Sequence, residues 1–188
     1  MNFQQRKHNQ LKKQDKSSKH SIDDKIALLC KKINSKQEYY TTSSCAGRIL
    51  LIYAEEQKKP NLFLFVSHDK ITFKQLKSEL EKTAKKTKKL IYFKQESCIM
   101  HVACKTLKDA QVLLNKAKLA GWKKTGIIAS KNRIVAELVS TEKIEMPIIN
   151  KGKILISDDF LKLLVSEANS KLERTWKKIK NLGNHINL

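Results

Sequence analysis

The chain has 188 residues, of which 40% are hydrophobic, with five glycines and two prolines. That is enough for one domain with a real core, and it excludes a chain that stays unfolded throughout. Lys and Arg total 39 against 18 Asp and Glu, a net charge of +21, so any compact shape carries a strong positive potential that suits a polyanion. Lysine far outnumbers arginine, so a compositional bias that fills solvated faces with lysine accounts for part of the excess. Charge alone leaves RNA, DNA and an anionic membrane open. No stretch of about 18 apolar residues occurs and the N-terminus has no apolar signal region, so a cytoplasmic protein without membrane association is expected. Cys30, Cys45, Cys98 and Cys104 lack CxxC spacing. They read as small core residues, with neither a disulfide framework nor a metal site.

Residues 1–20 are almost wholly polar, with Arg6, Lys7, Lys12, Lys13, Lys16 and Lys19 against the apolar Phe3 and Leu11. They read as a basic arm, either disordered or forming a helix that docks on its own domain or on RNA. A helix is expected from Ser21, spaced for a capping box with Asp24, to about Asn34, because Ile22, Ile26, Leu29, Cys30 and Ile33 recur at helical intervals. Residues 39–42, 48–53 and 62–67 are rich in aromatic and β-branched side chains and read as strands, with 55–61, including Pro60, as a turn.

Phe73, Leu76, Leu80 and Ala84 share a helix face. Residues 90–95 and 98–104 then read as a strand pair joined by a very short polar connection. A helix over 106–120 buries Leu107, Ala110, Val112, Leu113, Leu114 and Ala117, and Gly121 stands where it should stop. Strands at 126–129 and 133–139 flank a turn at 130–132. A short strand near Ile154 precedes a long last helix capped by Ser157, with Asp158 and Asp159 in its first turn. Its apolar face runs from Phe160 and Leu161 to Trp176 and Ile179. The fold class is α+β, an antiparallel or mixed sheet with helices packed on one side. The boundaries are an arm at 1–20, a domain at 21–182 and a tail at 183–188.

Chemistry concentrates at 41–48, Thr-Thr-Ser-Ser-Cys-Ala-Gly-Arg. Read as a strand-to-strand loop, it offers hydroxyls and backbone N–H groups to an anion, a conformation only Gly47 adopts easily, and the guanidinium fork of Arg48. An ordinary polar turn has the same residue types. Cys45 has no sequence-local base and reads as inert. His68 ends an apolar strand and is well placed for a ligand, whereas His101 shares its strand face with Ile99 and Ala103 and fits a core histidine.

These residues carry a resemblance to the wybutosine-synthesising protein 3 family. It includes the segment from Thr41 to Ile49, Val66-Ser67-His68, His101-Val102 with Cys104, Thr106-Leu107 and Asp109-Ala110, and Gly121 with Gly126-Ile127, in order and spacing. Leu138, Ser140-Thr141 and Met146-Pro147-Ile148 extend it to roughly residues 20–180. The resemblance implies methyl transfer from S-adenosylmethionine to the N4 ring nitrogen of a 4-demethylwyosine-type intermediate beside the anticodon of tRNA(Phe). It carries cofactor or substrate binding to Ser43, Ser44, Cys45, Gly47, Arg48, Ser67 and His101, with His68 as candidate base.

A tRNA substrate suits the basic charge, and Trp122 beside Lys123 and Lys124 offers an aromatic face and two cations to an anticodon loop, unless Trp122 is core packing. No Gly-x-Gly-x-x-Gly occurs, so the fold is not expected to be of the Rossmann type. A non-catalytic basic RNA-binding module of the same fold, or a lysine-driven nucleic-acid chaperone, would share the charge but not need the 43–48 segment.

Overall fold

The computed structural model describes residues 1–12, 23–54 and 62–187. In chain order its elements are α1 (Phe3–Leu11), α2 (Asp24–Ser35), β1 (Tyr39–Cys45), β2 (Arg48–Tyr53), β3 (Phe63–Ser67), α3 (Phe73–Lys86), β4 (Ile91–Glu96), β5 (Ile99–Cys104), α4 (Leu107–Leu119), β6 (Lys124–Ala129), β7 (Ile134–Val139), β8 (Ile144–Asn150), β9 (Lys153–Ile154) and α5 (Asp158–Asn187). The cap expected at Ser21 and the turn at 55–61 lie outside the described residues. Among the described residues every strand pairing is antiparallel, the first of the two alternatives in the α+β reading, and the strands form two sheets where one was expected. The chain divides into two compact units, one of residues 1–46, 98–141 and 175–188, the other of 47–97 and 142–174.

The first unit holds the sheet β1-β5-β7-β6. Ile26, Leu29, Cys30 and Ile33 of α2, Ala110, Leu113 and Ala117 of α4, and Met100, Val102, Ala136 and Leu138 of the sheet meet in one core. The helical periods of α2 and α4 bring their apolar stripes to the face that strand alternation makes apolar. Thr106 and Asp109 close a reciprocal capping box on α4. The N-terminal arm contains a helix: Asn2 caps α1, the Phe3 ring lies 5.2 Å from that of Tyr40, and Gln4 and Lys7 donate to the carbonyls of Gln37 and Lys36. Residues 183–187, assigned to a tail from sequence, continue α5, and Ile186 lies in this core.

The second unit holds the sheet β3-β2-β4-β8-β9, with α3 and the part of α5 up to Arg174. Thr72 Oγ accepts from Gln75 N to cap α3, and Ser157 Oγ accepts from Phe160 N at the start of α5. Pro147 sits within β8 opposite Tyr92, next to a register shift, the kind of irregularity at which a sheet tolerates proline. The expected pairing of residues 90–95 with 98–104 is not formed. β4 pairs with β2 and β8, and β5 with β1 and β7. The two strands serve different cores, because the chain passes from one unit to the other between Ser97 and Cys98.

Candidate functional site

The segment at 41–48 is not a loop. Ser43, Ser44 and Cys45 end β1, Arg48 opens β2, and only Ala46 and Gly47 link them. β5 accompanies β1 to its end, setting Ser43, Ser44 and Cys45 opposite His101, Met100 and Ile99, so the backbone here is a paired strand and not a free loop. The Ala46 N–H is also taken: it donates at 3.0 Å to Oδ2 of Asp23, the N-cap residue of α2. Alternation turns Ser44 inward, where its Oγ accepts from Cys30 Sγ at 3.5 Å, and leaves Ser43 and Cys45 on the other face.

On that face Ser43, His101 and Glu137 stand in register on three adjacent strands. Ser43 Oγ lies 2.9 Å from His101 Nδ1, and His101 Nε2 lies 2.9 Å from Glu137 Oε1. A carboxylate only accepts, so in a neutral ring Nε2 carries the hydrogen and Nδ1 accepts from the Ser43 hydroxyl. His101 and Glu137 side chains are 29% and 34% exposed, so this row is open to solvent and His101 is no core histidine. Beyond Glu137, β6 places Gly126, and a Cβ there would meet nothing within 4 Å. The row therefore ends beside open space.

The remaining candidates lie in the second unit or elsewhere in the first. Gly47 is buried at φ +94°, a conformation L side chains resist. Gly47→Ala is expected to cost about 1–2 kcal/mol in a urea titration, against no change for a glycine that fits ordinary backbone. Arg48 does not present an unpaired fork: its Nε donates to Glu96 Oε2 at 2.7 Å, and its guanidinium lies 4.9 Å from the Phe63 ring centroid. Ser67 closes a turn, donating to the Asp69 carbonyl and accepting from Asp69 N, and His68 follows it, half-buried.

A sequence model of the family described as Methyltransferase TYW3 matches residues 4–188. The chain belongs to the TYW3 methyltransferase family. It is 37% identical over 187 residues to the tRNA wybutosine-synthesizing protein 3 homolog of Danio rerio, covering 96% of this chain and 73% of that one. It is 35% identical over 163 residues to the tRNA(Phe) 7-((3-amino-3-carboxypropyl)-4-demethylwyosine(37)-N(4))-methyltransferase of Archaeoglobus fulgidus, covering 86% and 81%. The solved structure of the PH1069 protein from Pyrococcus horikoshii superposes with a TM-score of 0.88 at 31% identity, covering 99% of this chain and 94% of that one.

Within this TYW3 fold, Trp122 offers no stacking face. It is fully buried, and its Nε1 donates to the Lys178 carbonyl at 3.1 Å, so the packing alternative describes it. Lys123 and Lys124 are exposed. All four cysteines are unbridged, and burial pushes the Cys104 thiol up to about 12, which keeps it protonated at neutral pH. No helix among the described residues is long and apolar enough to cross a membrane.

Sequence reading missed Glu137, Glu96 and Asp23. Glu137 had a signal: it is the lone acid in the apolar run from Ile134 to Val139. A carboxylate in an interior strand needs a partner, and β7 lies inside the sheet. Glu96 and Asp23 left no comparable mark, since their partners Arg48 and Ala46 are distant in sequence.

Proposed function

We propose that this chain transfers a methyl group from S-adenosylmethionine to the N4 ring nitrogen of the 4-demethylwyosine-type intermediate beside the anticodon of tRNA(Phe), in wybutosine biosynthesis. The reaction named for the Archaeoglobus relative supports the substrate class. Within the chain, the reading is carried by the row of Ser43, His101 and Glu137 on an open sheet face.

The face fits a methyl donor that bears an ammonium and a sulfonium cation. Ser43 Oγ and the Glu137 carboxylate are acceptors there, and the vacant Cβ position of Gly126 leaves room beside them. S-adenosylmethionine supplies an electrophilic methyl carbon when bound. The acceptor nitrogen must lose its hydrogen as the new N–C bond forms. Ser43 Oγ takes that proton while its own hydroxyl proton passes to His101 Nδ1, and the imidazolium is held by Glu137. The chain otherwise contributes alignment, which displacement at a methyl carbon chiefly requires.

Arg48 is assigned to an anionic group of donor or tRNA, reached by exchange with Glu96, whose side chain is 37% exposed. Ser44, Cys45 and Gly47 shape the backbone that carries Ser43 and Arg48. His68 is the second candidate base, with Ser67 setting the turn before it. Purified protein incubated with precursor tRNA(Phe) and S-adenosylmethionine should add one methyl group to the modified guanosine, read by mass spectrometry of anticodon-loop nucleosides. An unmethylated nucleoside together with tight tRNA binding would instead establish a non-catalytic RNA-binding module.

A further inference from the structure

The positive charge is unevenly divided. By sequence the first unit holds 21 Lys and Arg against 6 Asp and Glu, a net of +15, and the second 18 against 12, a net of +6. In the second unit cations such as Lys94, Lys162 and Arg174 meet carboxylates. On the β6–β7 hairpin of the first unit the arrangement is different. Lys123, Lys124, Lys131 and Arg133 are all exposed, and among the described residues none of their side chains meets a carboxylate. No acidic residue occurs between Gly121 and Glu137. Ile127 and Ile128 on the same hairpin are 39% and 54% exposed.

We infer that the β6–β7 hairpin is an RNA-binding edge, its four cations contacting phosphates and its isoleucines contacting unstacked bases. The inference rests on tRNA as the substrate class and names the surface that receives it. Lysines on an edge strand also guard against strand-to-strand aggregation, but such a guard has no use for two exposed isoleucines beside it. Unpaired cations interleaved with apolar side chains match a single-stranded loop, where phosphates and splayed bases alternate. A lipid surface is a poorer match, because the hairpin is short and is no amphipathic helix with a broad apolar face. The edge is continuous with the candidate site: Gly126 lies opposite Glu137 and Lys124 opposite Val139, two residues along the same strand.

The test is the salt dependence of binding to a tRNA(Phe) transcript, measured by fluorescence anisotropy without methyl donor. Each phosphate contact removed should lower the slope of log K against log salt by about 1. K123A/K124A and K131A/R133A should each lower it by about 2, and the four together by roughly 3–4. Ile128→Ser should weaken binding several-fold with the slope unchanged, and Lys162→Ala in the second unit should change neither. Thermal melts confirm that each variant is folded, and the two double variants serve if the quadruple one is not. An unchanged slope in the double variants overturns the inference, as does binding to phosphatidylserine vesicles in place of tRNA. Because no methyl donor is present, these outcomes are independent of turnover: a slope change in a protein that does not methylate would reject the reaction and keep the surface.

Discussion

His101→Ala is expected to lower kcat/KM for methyl transfer about 100-fold or more, the usual contribution of a positioned base. Among the described residues the imidazole links Ser43 Oγ to Glu137, so in the proposed reaction its loss removes the proton's destination and the orienting link together. Ser43→Ala should cost nearly as much, and the double variant little more than either single one, because groups acting as a unit are strongly non-additive. Glu137→Gln keeps an acceptor for Nε2 but removes the charge facing the imidazolium, and a loss of about 10-fold corresponds to roughly 1.4 kcal/mol of barrier. Thermal melts separate chemistry from folding: His101→Ala should melt as the wild type does while losing turnover. Wild-type turnover in His101→Ala together with lost turnover in a folded His68→Ala would transfer the role to His68.

The largest expected loss of stability is at Trp122. Its ring is fully buried in the first unit's core, and its N–H caps the carbonyl of Lys178 within α5. Trp122→Ala should cost about 3–5 kcal/mol in urea denaturation, a large share of the roughly 5–15 kcal/mol that holds a typical domain. Trp122→Phe retains most of the apolar volume and loses the hydrogen bond, for about 1–2 kcal/mol. If Trp122→Ala instead stayed fully stable and only tRNA affinity fell, the residue would be a surface contact and not a core side chain. Gly121 supports the buried placement: at φ +91° it lets the chain leave α4 and turn the next residue directly inward.

Much of the fold was legible because it is local. The helical stripes of α2, α4 and α5 and the apolar alternation of β5 and β7 are periodic signals within one segment, and the structure buries Ile26, Leu29, Leu113, Leu164 and Leu172 accordingly but leaves Leu107, Val112 and Phe160, also expected inside, exposed. The cap at Ser157 is equally short-range. Two units were not legible, because the chain crosses between them after Ala46, Ser97, Thr141 and Arg174 without a linker composition at any crossing. Nothing in the neighbouring residues distinguishes a short hairpin connection from a crossing when the strands on either side are equally apolar.

The candidate site divides along the same line. By itself the sequence singled out the segment from Thr41 to Arg48 as a candidate and determined that this chain resembles a methyltransferase of wybutosine synthesis, a family membership the match over residues 4–188 carries. It also determined the basic excess. Only the tertiary structure decided how the segment is held: strand pairing turned an expected anion-binding loop into the end of β1, committed Ala46 N–H to Asp23 and Arg48 to Glu96, and set Ser43 beside His101 in a row with Glu137. The physical reason is sequence separation. Ser43, His101 and Glu137 are 58 and 36 residues apart along the chain, and only the antiparallel register of three strands makes them neighbours within hydrogen-bonding distance.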